Sequence, residues 1–513
     1  MIASINPATG EVLRQLECAD EAGVRAAVDR AKSAQPAWEK LDLRRRIAIL
    51  REFQAKLHAK KSEIAAAITR EAGKPLAEAL VTEVLVVLDA ARFLIDNAFP
   101  LLRDEPVPHG NLATKLKRGS LISEPHGVIG MIAPWNYPFS IPATETLAAL
   151  VVGNSVVLKP SELTPLVALE LESLLHESGV PRNVFQVAVG DGAAGAALVA
   201  SGIDKLIFTG SVATGKRIAA AAAERLLPVV LELGGKDPML VLDDANIDVA
   251  SSAAVWGAFV NAGQACLSVE RCYVHNSRYE EFIEACARKT RQLRVGDGSQ
   301  PNTDVGPMIR ERQLRIVELH VEEAKVCGAR VLVGGKRLPE LGESFYAPTV
   351  LADVTHDMRI MREETFGPVL PIMPFDNDVE AINLANDSDF GLAASIFTRD
   401  AKRGERIARR INAGTVMVND VISCFAISEA PHGGVKASGL GRTHGRFGLE
   451  EMTRRKYLDI DLTPDMKKVW WHGYGENFRR QMEGFLDLQF AGKFSARLRG
   501  ALRAAGVLRR KQL

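Results

Sequence analysis

The chain has 513 residues, 47% of them hydrophobic and 25% charged, and 64 Lys and Arg against 63 Asp and Glu leave a formal net charge of +1. This length exceeds the roughly 250 to 300 residues that one hydrophobic core supports, so we expect two or more domains. The near-neutral charge disfavours a nucleic-acid-binding protein, and the lack of a run of about 18 apolar residues disfavours a membrane-spanning one.

The beginning of the chain and its cysteines indicate the compartment. Residues 1–7 lack the basic start and apolar stretch of a secretory signal. Six cysteines at irregular spacing do not resemble a disulfide framework. We therefore expect a cytoplasmic protein with reduced thiols.

The first part of the chain is predicted to be helical. From Asp20 to about Asn97, apolar residues recur at steps of three and four, as in Ile47, Leu50 and Phe53. The stretch from Leu112 to Ser123 then alternates basic and apolar residues. This alternation predicts a hairpin that stands off the body and serves assembly as an edge ribbon.

Short β-branched runs alternate with helical stretches in two successive series. The first series has strands at Val128–Ile132, Ser155–Leu158, Val184–Val187, Leu206–Phe208, Val229–Leu231 and Met239–Leu242. The second has helices at Val249–Val260 and Tyr279–Leu293 and strands at Arg271–Val274, Ala329–Val333 and Val369–Met373. Alternation of this kind implies parallel pairing through right-handed crossovers, so the predicted fold class is α/β, with two doubly wound open sheets.

Several polar residues follow the predicted strands, where open α/β sheets bind ligands. Asn136 stands between two prolines that stiffen its turn, as an oxyanion donor requires, although the same pattern is ordinary turn chemistry. Lys159 and Glu162 come after the strand Ser155–Leu158; the Glu162 carboxylate could bind a ribose 2′-hydroxyl and repel a 2′-phosphate, which favours NAD over NADP. The alternative is a helix start capped by Ser161 or Thr164.

Two glycine patterns compete for a phosphate. Residues 190–195 fit G-x-G-x-x-G but lack the acidic residue expected about 20 positions later. Gly210 and Ser211 lie between a strand and a helix, whose N-terminus could bind an anion through backbone N–H groups. We favour the second pattern.

Glu232 and Cys266 are the candidate base and nucleophile. Glu232 ends a strand and precedes Gly234, Gly235 and Lys236, so it could act as a general base or pair with a neighbouring lysine. Cys266 follows Gly263, which can turn the backbone and leave the thiol accessible, although an isolated cysteine is more often a buried hydrophobe. No metal site is predicted.

Taken together and in this order, these segments resemble the aldehyde dehydrogenase superfamily from Asn6 to about Tyr457. The segments that carry the resemblance are Pro134–Asn136, Lys159–Glu162, Phe208–Ser211, Glu232–Lys236, Gly263–Cys266 and Glu363–Pro368. The resemblance implies an NAD-binding domain, a catalytic domain, a bridging element for assembly and an added tail. These divisions are 1–111 with 128–235, 236–436, 112–127 with 437–462, and 463–513.

The resemblance implies roles for the site residues. Cys266 would be the nucleophile, Glu232 the base that activates water, and Asn136 part of the oxyanion hole. Cofactor-binding roles fall to Lys159, Glu162, Gly210, Ser211, Trp135, Gly234, Glu364 and Phe366. The cofactor would be NAD, with NADP as the second candidate, and a local positive field would have to favour the Cys266 thiolate.

The predicted function is oxidation of an aldehyde to the free acid through a cysteine thioester. The alternatives are an acyl-CoA-forming enzyme of the same family, which commonly lacks the base at position 232, and a catalytically silent scaffold. Many relatives carry Phe at the position of His432 and Glu at that of Thr443, so water delivery could differ here. Residues 419–429 contain no arginine for a carboxylate, which favours a neutral aliphatic or aromatic aldehyde.

The last segment differs in charge from the rest. Residues 466–513 contain eleven Lys and Arg against three Asp and Glu. Phe494, Leu498 and Leu502 recur at helical spacing, which predicts a basic amphipathic helix for an anionic membrane surface or a subunit interface. Ala505 and Leu508 continue the same spacing, while glycines at 484, 492, 500 and 506 are expected to weaken the helix. The resemblance also implies a homodimer or homotetramer.

Overall fold

The computed structural model describes residues 1–468 and 470–505. These residues form two compact units, one of Met1–Leu101 with Pro125–Thr453 and one of Leu102–Glu124 with the chain from Arg454 onward. Both predicted α/β sheets lie in the first unit. The expected division near residue 235 is therefore a change of sheet within one compact body.

The first sheet has six strands and confirms the doubly wound class. In spatial order the strands are Gly439–Leu440, Val229–Glu232, Lys205–Thr209, Val128–Ile132, Ser155–Lys159 and Phe185–Val187. All neighbours pair in parallel except Gly439–Leu440, which pairs antiparallel with Val229–Glu232. The assignment of residues 437–452 to the bridging element is thus wrong, because this return segment completes the first sheet.

The second sheet has seven strands, of which three were not predicted. In order they are Arg330–Val333, Thr349–Ala352, Val369–Phe375, Val269–His275, Asp237–Val241, Ala393–Phe397 and Thr415–Val418. Only Arg330–Val333 is antiparallel to its neighbour. Phe282, Val350 and Leu370 belong to the core between this sheet and its helices.

Helices cover both sheets. Those on the first sheet and its surroundings are Glu21–Glu39, Leu43–Ala59, Lys61–Ala72, Leu76–Ala79, Leu85–Leu102, Ser140–Val152, Pro165–Glu177, Gly192–Ala200, Val212–Ala223 and Gly445–Glu451. Those of the second series are Ile247–Phe259, Tyr279–Thr290, Glu311–Val326, Arg359–Arg362, Asp378–Asn386 and Ala401–Ala408. A small antiparallel hairpin, Ile2–Ile5 with Val12–Leu16, precedes them.

The second unit contains a three-stranded sheet in the order Thr453–Asp461, Lys117–Pro125 and Glu105–Val107. Leu112–Thr114 is a single helical turn, so the predicted hairpin within 112–123 is wrong. The hairpin instead joins Glu105–Val107 to Lys117–Pro125, and the former strand had been placed in the NAD-binding domain.

The tail forms two helices, Glu476–Phe490 and Phe494–Ala504. A Cβ added to Gly484 would lie 2.4 Å from the Cβ of Arg503, and one added to Gly500 would lie 2.5 Å from the backbone nitrogen of Leu488. These two glycines therefore let the two helices pack closely, and their expected effect on helix stability stays a prediction. Leu508 and Gly506 lie outside the described residues. Over the residues described, we find no helix with the length and apolar character to cross a bilayer.

Candidate active site

The predicted site residues of the first sheet follow four neighbouring parallel strands. Asn136 comes after Val128–Ile132, Lys159 ends Ser155–Lys159, Ser211 follows Lys205–Thr209, and Glu232 is the last residue of its strand. Since carboxyl ends of parallel strands share one edge of a sheet, these residues lie along the same edge.

The loop that carries Cys266 is shaped by left-handed backbone. The preceding helix ends at Phe259, and Asn261, Ala262 and Gly263 have φ values of 52°, 54° and 72°. A Cβ on Gly263 would lie 2.1 Å from the carbonyl oxygen of Gly367, so glycine is required there. The expected interruption of the helix at this point is therefore found.

The Cys266 side chain is half-buried among apolar neighbours, Leu267, Leu392, Ile422 and Phe425 among them. Burial, followed by the nearby carboxyls of Asp237, Glu232 and Glu364, raises its pKa well above the usual range. The expected positive field is absent from the surroundings that the structure describes. Both effects favour the protonated thiol over the thiolate.

Asn136 is fixed by hydrogen bonds to the cysteine loop. Its side-chain Nδ2 donates to the backbone carbonyl oxygen of Gln264 at 3.0 Å, and its backbone carbonyl oxygen accepts from Asn261 Nδ2 at 3.0 Å. An amide nitrogen carries two hydrogens, so one remains for a developing oxyanion. These bonds tie the Asn136 turn to residues 261–264, which lead into Cys266.

A buried ion pair that sequence reasoning missed supports this turn. Lys74 Nζ donates to Glu83 Oε1 at 2.6 Å and to the Asn136 carbonyl at 2.8 Å, and both side chains are fully buried. Glu83 Oε2 accepts from the backbone nitrogens of Phe139 and Ser140 at 2.9 and 2.8 Å. Neither residue stands out in the sequence, because Lys74 lies in the short connection between two helices and Glu83 lies in a single helical turn.

Replacing Lys74 with methionine is expected to lower the free energy of unfolding by about 3 to 5 kcal/mol, because Glu83 would remain buried and unpaired. The control is Lys60→Met, which breaks an exposed pair with Glu177 and should change stability little. Urea denaturation of both variants measures the difference. Equal stability of the two variants would contradict a supporting role for the buried pair.

Glu232 is buried, and the expected alternative of a lysine partner is wrong. Its Oε1 has no hydrogen-bond partner among the described residues, and its Oε2 lies 3.7 Å from His432 Nε2. Lys236 instead pairs with Glu270. Burial, followed by the charge of Glu145, raises the pKa of Glu232 well above its usual range.

The residues predicted to bind an adenosine ribose and a pyrophosphate are Lys159, Glu162, Gly210 and Ser211. Lys159 Nζ lies 3.6 Å from Glu162 Oε2, and burial lowers the pKa of the lysine. Ser211 caps the helix Val212–Ala223 by accepting from Thr214 N at 3.4 Å. Neither Ser161 nor Thr164 caps the helix Pro165–Glu177 with its side chain: Thr164 stands at the N-cap position without such a bond, and Ser161 accepts from Leu163 N. The backbone nitrogens of Leu166 and Val167 donate to Glu71 instead.

The rejected glycine pattern is closed to a phosphate. Asp191 accepts from the backbone nitrogen of Ala193 at 2.9 Å, so its carboxylate occupies the N-terminus of the helix Gly192–Ala200. A second anion at this position would meet like charge. This disfavours residues 190–195 as a phosphate site, and the choice of Gly210 and Ser211 stays a prediction.

A second group of cofactor candidates forms a narrow cradle. Glu364 Oε1 accepts from Gly235 N at 3.1 Å, and a Cβ on Gly234 would lie 2.6 Å from Glu364 Oε2. Burial raises the pKa of Glu364 to about 8. Trp135 and Phe366 meet edge to face at 5.5 Å. A carboxyl with an open oxygen beside glycine and aromatic surfaces fits a ribose and a flat ring.

Glu270 is a further residue that the sequence did not indicate. Its two oxygens accept from the backbone nitrogens of Thr365 and Phe366, both at 2.8 Å. Phe366 has a φ of 51°, and these bonds hold it in that conformation. Among the described residues, no group of three or more His, Cys, Asp or Glu side chains is placed to hold a metal ion.

Comparisons with known proteins agree over most of the chain. Residues 1–458 match the sequence model described as aldehyde dehydrogenase family. The chain is 38% identical over 493 residues to a Methylomonas protein described as 4,4'-diapolycopene aldehyde oxidase, covering 95% of this chain and 91% of the relative. It is 40% identical to a betaine aldehyde dehydrogenase of Cereibacter sphaeroides, covering 90% and 94%. The NAD+ complex of an aldehyde dehydrogenase from Bacillus cereus superposes with a TM-score of 0.86 at 36% identity, covering 90% and 93%.

Proposed function

The chain belongs to the aldehyde dehydrogenase family, whose general reaction is the oxidation of aldehydes to acids with NAD or NADP, and we propose that Cys266, Asn136 and Glu232 perform this reaction. The observation that carries the proposal is their convergence. The amide of Asn136 is bonded to the cysteine loop, and the charge of Glu232 acts on the Cys266 thiol.

In the first half-reaction, the Cys266 thiol loses its proton to solvent water as its sulfur adds to the aldehyde carbon, and the carbonyl oxygen becomes an alkoxide. The Asn136 amide and the Cys266 backbone N–H stabilise this oxygen, and removing one such donor typically costs about 2.7 to 4 kcal/mol. The nicotinamide of the bound cofactor supplies the hydride acceptor. Loss of the hydride from the tetrahedral carbon leaves a thioester on Cys266.

In the second half-reaction, Glu232 takes a proton from water as the water oxygen bonds to the thioester carbon. Collapse of the tetrahedral adduct expels the Cys266 thiolate and releases the carboxylic acid. Glu232 is a base only when deprotonated, and its pKa is raised by burial. Hydrolysis should therefore quicken as the pH rises through that raised pKa.

The cofactor residues fit a dinucleotide. Lys159 and Glu162 would hold the adenosine ribose, Gly210 and Ser211 the pyrophosphate, and Glu364 the nicotinamide ribose. Trp135, Phe366 and Gly234 would border the nicotinamide. The exposed carboxylate of Glu162 disfavours a 2′-phosphate, which supports NAD as the preferred cofactor.

The substrate proposed is a neutral aliphatic or aromatic aldehyde. Ile422, Cys424 and Phe425 pack beside the half-buried Cys266, as expected for residues 419–429 at the substrate mouth. No cation is among the charges that act on this thiol in the described part of the chain. The relative named as a diapolycopene aldehyde oxidase suggests an aldehyde on a hydrocarbon chain.

A panel of aldehydes tests the proposal. We expect NADH formation with equimolar carboxylic acid, and higher kcat/KM for alkyl and aryl aldehydes than for succinate semialdehyde or betaine aldehyde. NAD and NADP are compared in parallel, with and without coenzyme A. An acyl-CoA product would favour the acyl-CoA-forming alternative, and absence of any reduced cofactor across the panel would favour a silent scaffold.

Assembly is proposed through the three-stranded sheet of the second unit. Thr453–Asp461 forms an edge strand of this sheet, and most of its residues are exposed. Exposed edge strands readily pair with another chain. We expect a homodimer or a homotetramer, and sedimentation equilibrium distinguishes these two assemblies.

We further infer that the tail binds an anionic membrane surface. Phe494, Leu498 and Leu502 lie four residues apart on one helix face and are 82%, 57% and 73% exposed. The neighbouring helix adds Phe490, which is 66% exposed. Lys493, Arg497, Arg499 and Arg503 belong to the same segment. An apolar face with basic surroundings matches anionic lipid, to which each cation contributes about 1 kcal/mol.

The triple variant Phe494→Ser, Leu498→Ser, Leu502→Ser tests this surface. We expect the intact protein to sediment with vesicles containing phosphatidylglycerol, and the variant to remain in the supernatant. Leu226→Ser is the control, because Leu226 is 89% exposed and lies outside the tail. A variant that still binds vesicles, or one whose only change is a smaller oligomer, would overturn the membrane role.

A further inference from the structure

Glu232 and two histidines near it each have a buried polar atom without a hydrogen-bond partner in the described residues. They are Glu232 Oε1, His432 Nδ1 and His444 Nδ1. His432 Nε2 lies 3.7 Å from Glu232 Oε2, and the ring centres of His432 and His444 are 5.9 Å apart. Buried polar atoms are rarely left unpaired in folded proteins, so three together require an explanation.

The two histidines are held in a fixed relation by the backbone. His432 and Thr443 exchange two hydrogen bonds, both N···O distances being 2.8 Å. This pairing places the residue after Thr443 beside the His432 ring. Phe425 contacts both imidazoles, with ring centres 5.1 and 4.6 Å away.

A small cavity adjoins His444. Its volume is about 30 Å³, and His444, Thr443, Ser428 and Glu145 are among the residues that line it. One water molecule needs about 10 to 15 Å³ of such volume and two or more polar partners. The cavity is therefore large enough for one or two water molecules and has the polar groups to hold them.

Glu145 is a buried carboxyl that the proposed chemistry has not used. Burial raises its pKa to about 8, and its charge in turn raises the pKa of Glu232. The other charge acting on Glu232 is Arg442, whose Nη1 donates to the carbonyl oxygens of Gly434 and Gly441. Glu145 thus lines the same cavity as His444, and Glu232 lies 3.7 Å from His432.

The geometry points to a proton relay in which His432, His444 and Glu145 take to the cavity the proton that Glu232 removes from the hydrolytic water. This inference rests on the function proposed above for Glu232. The proton leaves Glu232 for one ring nitrogen of His432 as the proton on the other ring nitrogen departs toward His444. His444 takes up this proton on one ring nitrogen and gives the proton of the other to water in the cavity, which protonates the Glu145 carboxylate, and the Glu232 carboxylate is restored. Glu145 releases the proton to solvent before the next turnover. It can accept as the pH rises through about 8, the value to which burial raises its pKa.

The protonation states suit transfer through neutral rings. Burial lowers the pKa of His432 to about 3 and that of His444 to about 4, with His444 and Arg442 adding to the effect on His432. An imidazolium is therefore scarce at neutral pH, and each ring has to accept and donate in one step. The 3.7 Å gap to Glu232 exceeds a hydrogen bond of about 2.7 to 3.2 Å, so a small rotation or one water has to close it.

The alternative is that both histidines only pack against Phe425. His432→Phe separates the two, because phenylalanine keeps a ring of similar size and removes the nitrogens. For a relay, we expect a normal first NADH equivalent in a single turnover and a steady-state rate reduced at least about tenfold, since a positioned proton acceptor contributes about 10²–10⁴. The solvent deuterium isotope effect on the steady-state rate should also increase.

Glu145→Gln is the second variant, and its readout is the pH profile. Removal of the Glu145 charge should lower the pKa of Glu232, so the midpoint of the pH dependence of hydrolysis should move to lower pH while the maximal rate falls. His176→Phe is the control, because His176 lies on the separate helix Pro165–Glu177 and its Nδ1 is 3.0 Å from the carbonyl oxygen of Val180 in the loop that follows.

Unchanged steady-state rates and midpoints in both variants would overturn the relay, provided the unaltered protein oxidises aldehydes. If the unaltered protein forms no NADH with any aldehyde, the proposed function itself fails. A His432→Phe protein that does not fold leaves Glu145→Gln to decide.

Discussion

Replacing Cys266 with alanine is expected to abolish aldehyde-dependent NADH formation and leave the protein folded. Removal of a covalent nucleophile costs about 10⁶-fold in a well-measured hydrolase, because no other group can form the intermediate. The cavity left by the missing sulfur is small, and Cys266 is only half-buried. Stopped-flow absorbance should show neither a first NADH equivalent nor a steady state.

Cofactor binding separates loss of chemistry from loss of structure. The proposed NAD contacts, Glu162, Ser211 and Glu364 among them, do not include the thiol, so Cys266→Ala should bind NAD as the unaltered protein does. Cys327→Ala is the matched control, because Cys327 is an exposed free thiol elsewhere in the chain. Full activity of Cys266→Ala would rule out the cysteine mechanism, and loss of NAD binding would show that the substitution disturbs the cofactor site.

The titration of Cys266 follows from the same surroundings. Burial and three nearby carboxyls favour the protonated thiol. Alkylation by iodoacetamide in the absence of cofactor should therefore keep rising beyond about pH 8.5, where a free thiol is half ionised. A plateau near neutral pH would show that a positive group has been overlooked.

Much of the fold was predictable because its signals are local. Val128–Ile132 is found with the predicted ends, and the other predicted strands are found within about two residues, since β-branched runs bounded by turns mark buried parallel strands. Thr349–Ala352, Ala393–Phe397 and Thr415–Val418 were missed. They are four or five residues long, and the first two contain alanine, which has little strand preference.

Sequence patterns did not reveal features that depend on distant contacts. Gly439–Leu440 is too short to have a pattern and is a strand only because Val229–Glu232 lies beside it. Gly484 and Gly500 appeared unfavourable for helices, and their value becomes visible only when the two helices touch.

The candidate site shows the same limit. Chain order placed Asn136, Glu232 and Cys266 in recognisable segments, but neither Lys74 nor Glu145 has a local context that suggests chemistry. Their roles appear only in the folded chain. Lys74 contacts Asn136, 62 positions away, and the charge of Glu145 acts on Glu232, 87 positions away. His432 and Thr443 were noticed only as departures from relatives, and the cavity beside them could not be anticipated.

Replacing Glu232 with glutamine should separate the two half-reactions. Glutamine keeps the size of the side chain and cannot accept the proton of the hydrolytic water. We expect one NADH per active site at a near-normal rate, followed by a steady state reduced by about 10²–10⁴, the usual contribution of a general base. Mass spectrometry of the denatured protein should show the acyl group retained on Cys266.

The pH dependence of this variant is an independent test of Glu232 as the base. In the unaltered protein, hydrolysis needs the deprotonated carboxylate of Glu232, whose pKa is raised by burial and by Glu145. Its rate should therefore fall as the pH drops through that raised pKa, whereas the slow hydrolysis by Glu232→Gln should lack this transition. Glu172→Gln is the control, because Glu172 accepts from Val187 N on an outer strand of the sheet. If the pH transition of the hydrolysis rate persists in Glu232→Gln, the base is another carboxyl. Glu145 would be the first to examine, because it is the buried acid whose charge already acts on position 232.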